Sequence, residues 1–153
     1  MLSYQEVRVG NYALLNNEIK MITLVNNHDG YAELPRIGFL CQEDSFRSYQ
    51  CENVEPITLT DDILKQCGFV FHPYLQFWQL ISFDSGIRTE MDIDQDYNLV
   101  DFLRRPIVKK IKYLHQLQNI YFALKGSEIR FEPSFIKDDP IAIKIVVKEL
   151  VQA

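Results

Sequence analysis

A dense basic run is the first feature of the 153-residue sequence whose residue types could do chemistry. Arg104 and Arg105 are followed closely by Lys109, Lys110 and Lys112. Guanidinium groups match the geometry of phosphate, and a helix that starts near the arginines would add free N–H groups, so the run predicts an anion site. The alternative is a solvated basic face that balances the acidic stretch before it.

The segment HQLQN, residues 115–119, is the second such feature. On a helix, His115 and Asn119 lie one turn apart and could hold one ligand together. Gln118 falls on the apolar side, where its amide needs hydrogen-bond partners. Two interpretations stay open: ligand contact through this helix, or polar bonds that fix the helix against the backbone of a neighbouring sheet.

Aromatic residues crowd the segment from Phe69 to Trp78. Side chains alternate between the two faces of a strand, so these rings cannot all enter one core. Either both faces of the sheet are covered, or one face is an aromatic binding surface. The predicted ligand-binding residues are Trp78, Arg104, Arg105, His115 and Asn119.

An acidic stretch carries Asp92, Asp94 and Asp96 and begins like an EF-hand calcium loop. It lacks the later ligands, because Tyr97 stands where glycine is needed and Leu103 where glutamate belongs. Alternation along a strand would gather the three carboxylates on one face, where they could bind Mg²⁺ weakly. An exposed acidic edge that discourages strand pairing is favoured, so no metal site and no cofactor are predicted.

The sequence contains no GxGxxG, GxxxxGK[ST], HExxH, GxSxG or CxxC motif. It has only three histidines, so a general base would have to come from scattered side chains. A binding protein is therefore favoured over an enzyme.

Composition bounds the class of protein and its compartment. Hydrophobic residues make up 47% of the chain, as in ordinary globular domains, and the formal net charge is −5. That charge argues against a general nucleic-acid binder but allows one local basic face. Three cysteines without CxxC spacing, and an N terminus without a signal-peptide pattern, predict a cytoplasmic protein with reduced thiols and no membrane partner.

The first part of the chain is predicted to form short strands joined by tight turns. Strands are predicted at Val7–Val9, Tyr12–Leu15, Ile19–Val25 and Tyr31–Leu34. Asn16 and Asn17 tolerate the positive φ of a hairpin turn. The pattern predicts an SH3-like β-barrel module over residues 1–57.

Residues 58–153 have a mixed pattern. Thr60 as N-cap and Gly68 as left-handed stop bound a short helix. Strands are predicted at Phe69–Phe71, Phe77–Phe83, Ile87–Ile93, Glu128–Phe131 and Ile141–Val147. The fold class is therefore α+β, with the SH3-like module packed closely against a second antiparallel sheet, and the two could form one domain.

A long core helix is predicted to begin just after Pro106 and to run from about Ile107 to Lys125, with Gly126 as its end. Its apolar residues recur at helical spacing, and the face they form also carries Gln118. This helix would place the HQLQN segment against a sheet.

Three segments, Val7–Tyr12, Val54–Phe69 and Ile111–Leu124, resemble a family of proteins of Bacteroidota genomes and of the phages and prophages of that phylum. The HQLQN-IYFAL helix carries the most specific likeness. The family has no established activity, so the resemblance implies a mobile-element origin and assigns no residue roles.

These observations together predict a non-enzymatic binding protein of phage or mobile-element origin. Its partner would be a small phosphorylated host molecule, such as a nucleotide immune signal, or a host defence protein, and a homo-oligomer stays open. A nucleic-acid accessory module that uses the basic run is the first alternative. A metal-dependent hydrolase built on the aspartates is the second.

Overall fold

The structure, a computed structural model, describes residues 2, 5–26, 36–40, 46–50, 53–82 and 88–132. These residues form an α+β structure with two antiparallel sheets and two helices. The chain divides into two compact units, and each is discontinuous in sequence. Within the described residues, unit 1 runs up to Leu59 and resumes over Lys112–Ile129, whereas unit 2 holds Thr60–Ile111 and residues 130–132.

Several sequence predictions fall outside the described residues. They are the strands at Tyr31–Leu34 and Ile141–Val147 and the thiols of Cys41 and Cys51. The first segment of unit 1 ends at Leu59, and the division of the chain into modules over residues 1–57 and 58–153 stays a prediction.

Unit 1 contains a sheet with the strand order β1-β2-β3-β4. Its strands are β1 Tyr12–Leu15, β2 Glu18–Asn26, β3 Arg36–Leu40 and β4 Phe46–Gln50. The hairpin between β1 and β2 turns at Asn16 and Asn17, whose φ angles are 51° and 64°. Positive φ at both central residues is the geometry that the paired asparagines predicted, and the hairpin is confirmed.

Strand β2 changes partner along its length. Residues 18–21 pair with β1, and residues 22–26 pair with β3 across a bulge between Ile22 and Leu24. After β4 the chain returns to β1, where Leu14 and Glu55 exchange two backbone hydrogen bonds of 2.8 and 3.0 Å. The described strands do not form a closed barrel, so the SH3-like module stays a prediction beside the α+β class that the structure shows.

The core of this sheet is aliphatic with one large ring. Its buried members share one cluster: Leu2, Val7, Ala13, Leu15, Ile22, Ile37, Phe39 and Val54. Alternation along β1 places Ala13 and Leu15 in this core and leaves Tyr12 and Leu14 half-buried. Unit 1 therefore has a hydrophobic centre of its own.

The strand predicted at Val7–Val9 is wrong. Asn11 closes a turn there, because its Oδ1 accepts from the N–H of Arg8 at 2.8 Å and its own N–H donates to the Arg8 carbonyl at 3.1 Å. Gly10 in this turn has a φ of 99°, which a residue with a Cβ rarely adopts. The hydrogen bonds of Asn11 and the positive φ of Gly10 therefore decide the local structure against the strand preference of Val7 and Val9.

Unit 2 contains a five-stranded sheet with the order β5-β6-β7-β8-β9. Its strands are β5 Val70–His72, β6 Phe77–Ser82, β7 Arg88–Asp94, β8 Leu99–Val100 and β9 Pro106–Val108. The register pairs Trp78 with Ile93, and Ile93 with Leu99, so these apolar side chains share one face. The sequence predicted β5, β6 and β7 but not the two short strands that follow.

Helix α1, Asp61–Gln66, precedes this sheet and confirms the predicted short helix. The Thr60 hydroxyl accepts from the N–H of Ile63 at 3.3 Å, as an N-cap should. After the helix, Gly68 has a φ of 93°, and the Phe69 N–H donates back to the Leu64 carbonyl at 3.0 Å. Gly68 also lies next to the Leu80 side chain, which places the end of α1 against β6.

Helix α2 spans Leu114–Lys125, so the predicted start at Ile107 is wrong. Pro106–Val108 instead pairs with β8 as a strand, and Lys110 has a φ of 51°, which no helix accepts. The chain is extended at Tyr113, and the backbone N–H groups of Lys112 and Tyr113 both donate to Oε1 of Gln116. The predicted end is confirmed, since Gly126 has a φ of 73° and its N–H donates to the Phe122 carbonyl.

The segment Glu128–Phe131 is not a strand in the structure, contrary to the prediction. Ile129 and Phe131 alternate into the interior, but Glu128 instead pairs with the guanidinium group of Arg8. No helix of the described chain is both long and apolar enough to cross a membrane.

Candidate functional site

An open cleft of about 440 Å³ lies beside α1 in unit 2. Its lining combines three aromatic side chains with an ammonium, a carboxylate and an amide: Phe71, Trp78, Tyr97, Lys65, Asp61 and Gln95. The volume is within the range of small-molecule sites, and a few polar groups among apolar walls are typical of them. This cleft is the candidate functional site.

Helix α1 supplies the two charged groups of the cleft. Asp61 and Lys65 stand four residues apart, so they project from the same side of the helix. The Lys65 ammonium lies 5.9 Å from the centre of the Trp78 ring, at the edge of cation–π range. The Thr60 cap fixes where the helix begins and therefore where both charges stand.

Tyr97 reaches the cleft from the turn between β7 and β8. Its hydroxyl donates to Oδ1 of Asp61 at 2.8 Å. Burial raises the pKa of Tyr97 to about 12, and the hydrogen bond to Asp61 and the charge of that carboxylate act in the same direction. The hydroxyl is therefore protonated at neutral pH and acts as a donor, not as a base.

The turn that presents Tyr97 is held by Asp94. Its carboxylate accepts from the N–H groups of Asp96 and Asn98 and from the Asn98 side-chain amide, at 2.9 to 3.0 Å. Tyr97 itself has a φ of 61°, a left-handed conformation that the Asp94 bonds keep in place. Gln95, on the same turn, donates to the side chain of Gln76 at 2.6 Å.

Trp78, a residue predicted from the sequence, lies at the base of this cleft. Its side chain is only 5% exposed and contacts Phe71, with ring centres 5.1 Å apart. A ligand would therefore reach only a small part of the indole. Phe77, the preceding residue on β6, points to the opposite side of the sheet.

Arg104 lies over the Phe77 ring, with its guanidinium carbon 3.5 Å from the ring centre. Because Phe77 and Trp78 point to opposite faces, Arg104 is on the face that does not carry α1. Neither Arg104 nor Arg105 lines the cleft. The structure thus does not bring the arginine pair to Trp78.

Arg105 belongs to the hairpin between β8 and β9. Its Nε donates to Oδ2 of Asp101, and its backbone N–H donates to Oδ1 of the same carboxylate, each at 2.9 Å. The backbone bond from Arg105 is the largest of the interactions that lower the pKa of Asp101. The predicted helix N-terminus beside these arginines is wrong, because β9 begins at Pro106.

His115 and Asn119 lie on α2 in unit 1, whereas Trp78 and the arginines belong to unit 2. Asn119 uses both ends of its amide within unit 1, accepting from the Asn11 side chain and donating to the Glu6 carbonyl, each at 2.8 Å. A contact of these two residues with a ligand stays a prediction.

His115 is 1% exposed, and neither of its ring nitrogens has a hydrogen-bond partner among the described residues. Its ring stacks on Tyr113 at 5.5 Å, and Nε2 lies 3.6 Å from Oε2 of Glu6. Burial lowers the pKa of His115, although the nearby Glu6 carboxylate opposes part of the effect. The imidazole is therefore neutral at physiological pH.

Gln118 makes the contacts that the second interpretation of the HQLQN segment predicts, namely polar bonds from the helix to the backbone of a neighbouring sheet. Its Oε1 accepts from the N–H of Tyr12 at 3.0 Å, and its Nε2 donates to the Gly10 carbonyl at 3.2 Å. The buried amide is thus paired with backbone groups at the start of β1. These bonds fix α2 on the sheet of unit 1.

The acidic stretch does not form a metal site among the described residues. The Asp94 carboxylate accepts hydrogen bonds from its own turn, and Oδ1 of Asp92 is buried with no hydrogen-bond partner in the part of the chain that the structure describes. Burial raises the pKa of Asp92, while Arg104 and the Gln79 side chain lower it in part. These contacts give no support to the hydrolase alternative.

Sequence reasoning identified Trp78 but missed Asp61, Lys65 and Tyr97. A signal was present for the first two, since a capped helix with charges at four-residue spacing presents both on one side. Tyr97 had no such signal, because its place depends on the β7–β8 turn. Comparison of the chain with protein-family models, with curated proteins and with solved structures gave no match.

Proposed function

We propose that unit 2 is a binding module for a small, anionic, heteroaromatic ligand of the nucleotide type. The observation that carries the proposal is the cleft of about 440 Å³ in which aromatic rings and the Lys65 ammonium face the same space. A flat ring system would lie against Phe71 and the accessible part of Trp78. A phosphate would bind Lys65, which takes the role that the sequence predicted for Arg104 and Arg105.

The remaining polar groups of the cleft suit the edge of a base. Gln95 offers both a donor and an acceptor, and Asp61 offers carboxylate oxygens beside the Tyr97 hydroxyl. Because Tyr97 stays protonated at neutral pH, the pair presents hydrogen bonds and not a general base. We therefore propose binding without catalysis.

The ligand class to test first follows from the sequence resemblance. A chain of phage or mobile-element origin in a bacterial cytoplasm would gain from sequestering a nucleotide immune signal of the host. Cyclic dinucleotides and ADP-ribose derivatives are such molecules. Docking on a host defence protein is the second form of the same counter-defence proposal.

For unit 1 we propose the SH3-like module predicted from the sequence. The bent β2, which serves two partners in turn, and the return of the chain from Glu55 to Leu14 support it. The module would contact the same host partner.

Fluorescence offers a direct test, since Trp78 is the single tryptophan of the chain. We expect titration with a cyclic dinucleotide to change its emission and calorimetry to give the same Kd. Lys65→Met should weaken binding about ten-fold, because a charge-assisted bond is removed.

Lys125→Met, at an exposed lysine of α2, is the matched control and should leave the Kd unchanged. The proposal fails if no ligand of these classes binds with a Kd below about 1 mM, the weakest affinity that would matter here. Equal effects of the two lysine variants would exclude the cleft as the site.

A further inference from the structure

The two most exposed aromatic side chains among the large hydrophobic residues of the described chain both belong to unit 2. Tyr74, in the turn between β5 and β6, is 90% exposed, and Phe102, in the β8–β9 hairpin, is 84% exposed. Exposure of an apolar ring to water is unfavourable in free energy, so a large exposed apolar surface often marks an interaction site. Neither ring belongs to the lining of the Trp78 cleft.

A row of stacked groups connects the two loops across the sheet face opposite Trp78. Arg104 of the hairpin lies 3.5 Å from the Phe77 ring centre. Phe77 stacks on His72 with centres 5.6 Å apart and planes 5° from parallel, and His72 meets Tyr74 at 6.2 Å. The row therefore runs from the β8–β9 hairpin to the exposed Tyr74.

The hairpin loop is held in one shape before any partner arrives. The Asp101 carboxylate accepts from the N–H groups of Leu103 and Arg105, each at 2.9 Å. Arg104 has a φ of 68° and donates its N–H to the Asp101 carbonyl at 2.9 Å. Preorganised display of Phe102 lowers the entropic cost of binding.

The charge around Phe102 differs in sign from that of the whole chain. Residues 102–110 contain four cations, Arg104, Arg105, Lys109 and Lys110, and no acid, although the chain has a net charge of −5. Lys109 and Lys110 are exposed, and neither takes part in an ion pair within the described residues. Charge complementarity thus indicates an anionic partner.

We propose that this face of unit 2 binds single-stranded nucleic acid, with bases stacked on Phe102 and Tyr74 and phosphates held by Lys109 and Lys110. Exposed rings combined with cations along the same part of the chain are what a stacking surface for single strands requires. Arg104, already stacked on Phe77, can extend the stack by cation–π contact. Duplex DNA suits the face less well, because its bases are not free to stack on side chains.

The test uses the full chain and fluorescence anisotropy of a labelled oligothymidylate of about 12 nucleotides, a length that spans such a site. We expect salt-sensitive binding, measured from about 0.05 to 0.2 M salt. Phe102→Ala should weaken it about ten-fold. Lys109→Gln with Lys110→Gln should reduce the slope of log K against log salt by about 1.4, or about 0.7 for each phosphate that a lysine no longer neutralises.

Phe102→Leu is the variant that decides between partners. It keeps an apolar side chain of similar size but removes the ring, so it should weaken oligothymidylate binding nearly as much as Phe102→Ala. If Phe102→Leu instead binds the oligothymidylate like the wild type, residue 102 contributes an apolar contact and not ring stacking. That result would overturn the proposal. Binding to vesicles of anionic lipid with none to the oligothymidylate would overturn it equally.

The same measurements separate this surface from the cleft. Lys65→Met removes the cleft cation but leaves the hairpin unchanged, so it should keep the wild-type affinity for oligothymidylate. A decrease in affinity in Lys65→Met as large as in Phe102→Ala would contradict a separate face.

Discussion

At the scale of single residues, the polar side chains of α2 have distinct environments although they stand within five positions. Gln118 and Asn119 each hydrogen-bond through both ends of their amides inside unit 1, whereas neither nitrogen of the buried His115 has a hydrogen-bond partner within the described ranges. Burial disfavours the charged form of the His115 imidazole, and this effect outweighs the opposing effect of the nearby Glu6 carboxylate. His115 therefore makes the stability of unit 1 depend on pH.

The sign of that dependence follows from the lowered pKa of His115. In the unfolded chain the imidazole titrates near its ordinary value of about 6.5, so below that pH the unfolded state binds more protons than the folded state. We expect the melting temperature of unit 1 to fall between about pH 7.5 and about pH 5.5, and the fall to be smaller in His115→Gln. Thermal melts followed by circular dichroism measure it.

His72→Gln is the control for this experiment. His72 belongs to unit 2, so its replacement should leave the pH-dependent part of the melting of unit 1 as in the wild type. An equal pH-dependent fall in His115→Gln and in the wild type would show that His115 is not the titrating group.

At the scale of elements, α1 is the part whose sequence and structure agree best. Thr60, the acidic first turn and Gly68 act within a few residues of one another, so local chemistry decides the helix. The start of α2 was not predictable in the same way. Ile107 and Val108 continue the helical spacing of apolar residues, but pairing with β8 draws them into a strand.

Thr60 allows a test of how α1 supports the cleft. Thr60→Ala removes the oxygen that accepts from the Ile63 N–H, and we expect it to lower the free energy of unfolding of unit 2 by about 1 kcal/mol. Thr60→Ser keeps the oxygen and should retain most of the stability. Urea unfolding followed by Trp78 fluorescence gives both values, and equal decreases in the two variants would refute the cap's role.

At the scale of the whole molecule, the sequence predicts the α+β class, but it does not predict that the chain returns to unit 1 after residue 111. Helix α2 belongs to unit 1 because Gln118 and Asn119 hydrogen-bond to residues 10–12, which stand more than a hundred positions earlier in the chain. Contacts at that separation leave no periodic signal in the sequence. The cleft was only partly predictable for the same reason, since Tyr97 meets Asp61 across 36 positions.

Cys67 gives a probe for the opening of unit 2. Its thiol is buried at the end of α1, and burial raises its pKa to about 12, so both access and thiolate fraction are low. In a variant with Cys41→Ser and Cys51→Ser, we expect a thiol reagent to label Cys67 only as fast as unit 2 unfolds. The labelling rate should therefore rise steeply with urea.

Ser127→Cys in the same background is the matched comparison, because residue 127 is exposed and should react at once. If Cys67 reacts as fast as the thiol introduced there, α1 does not shield it under native conditions. Thr60→Ala should speed the labelling of Cys67 alone.

The N–H of Leu59 donates to the carbonyl of Lys112 at 2.8 Å, and the N–H of Leu114 donates to the carbonyl of Ile57 at 2.9 Å. The chain thus leaves unit 1 and re-enters it at neighbouring points, and these two backbone hydrogen bonds join the exit segment to the re-entry segment. A ribosome must release everything through the α2 segment before the first 59 residues can acquire their covering helix. Nascent chains halted before that point would leave exposed the surface of unit 1 to which α2 is bonded, and holdase chaperones should recognise them there.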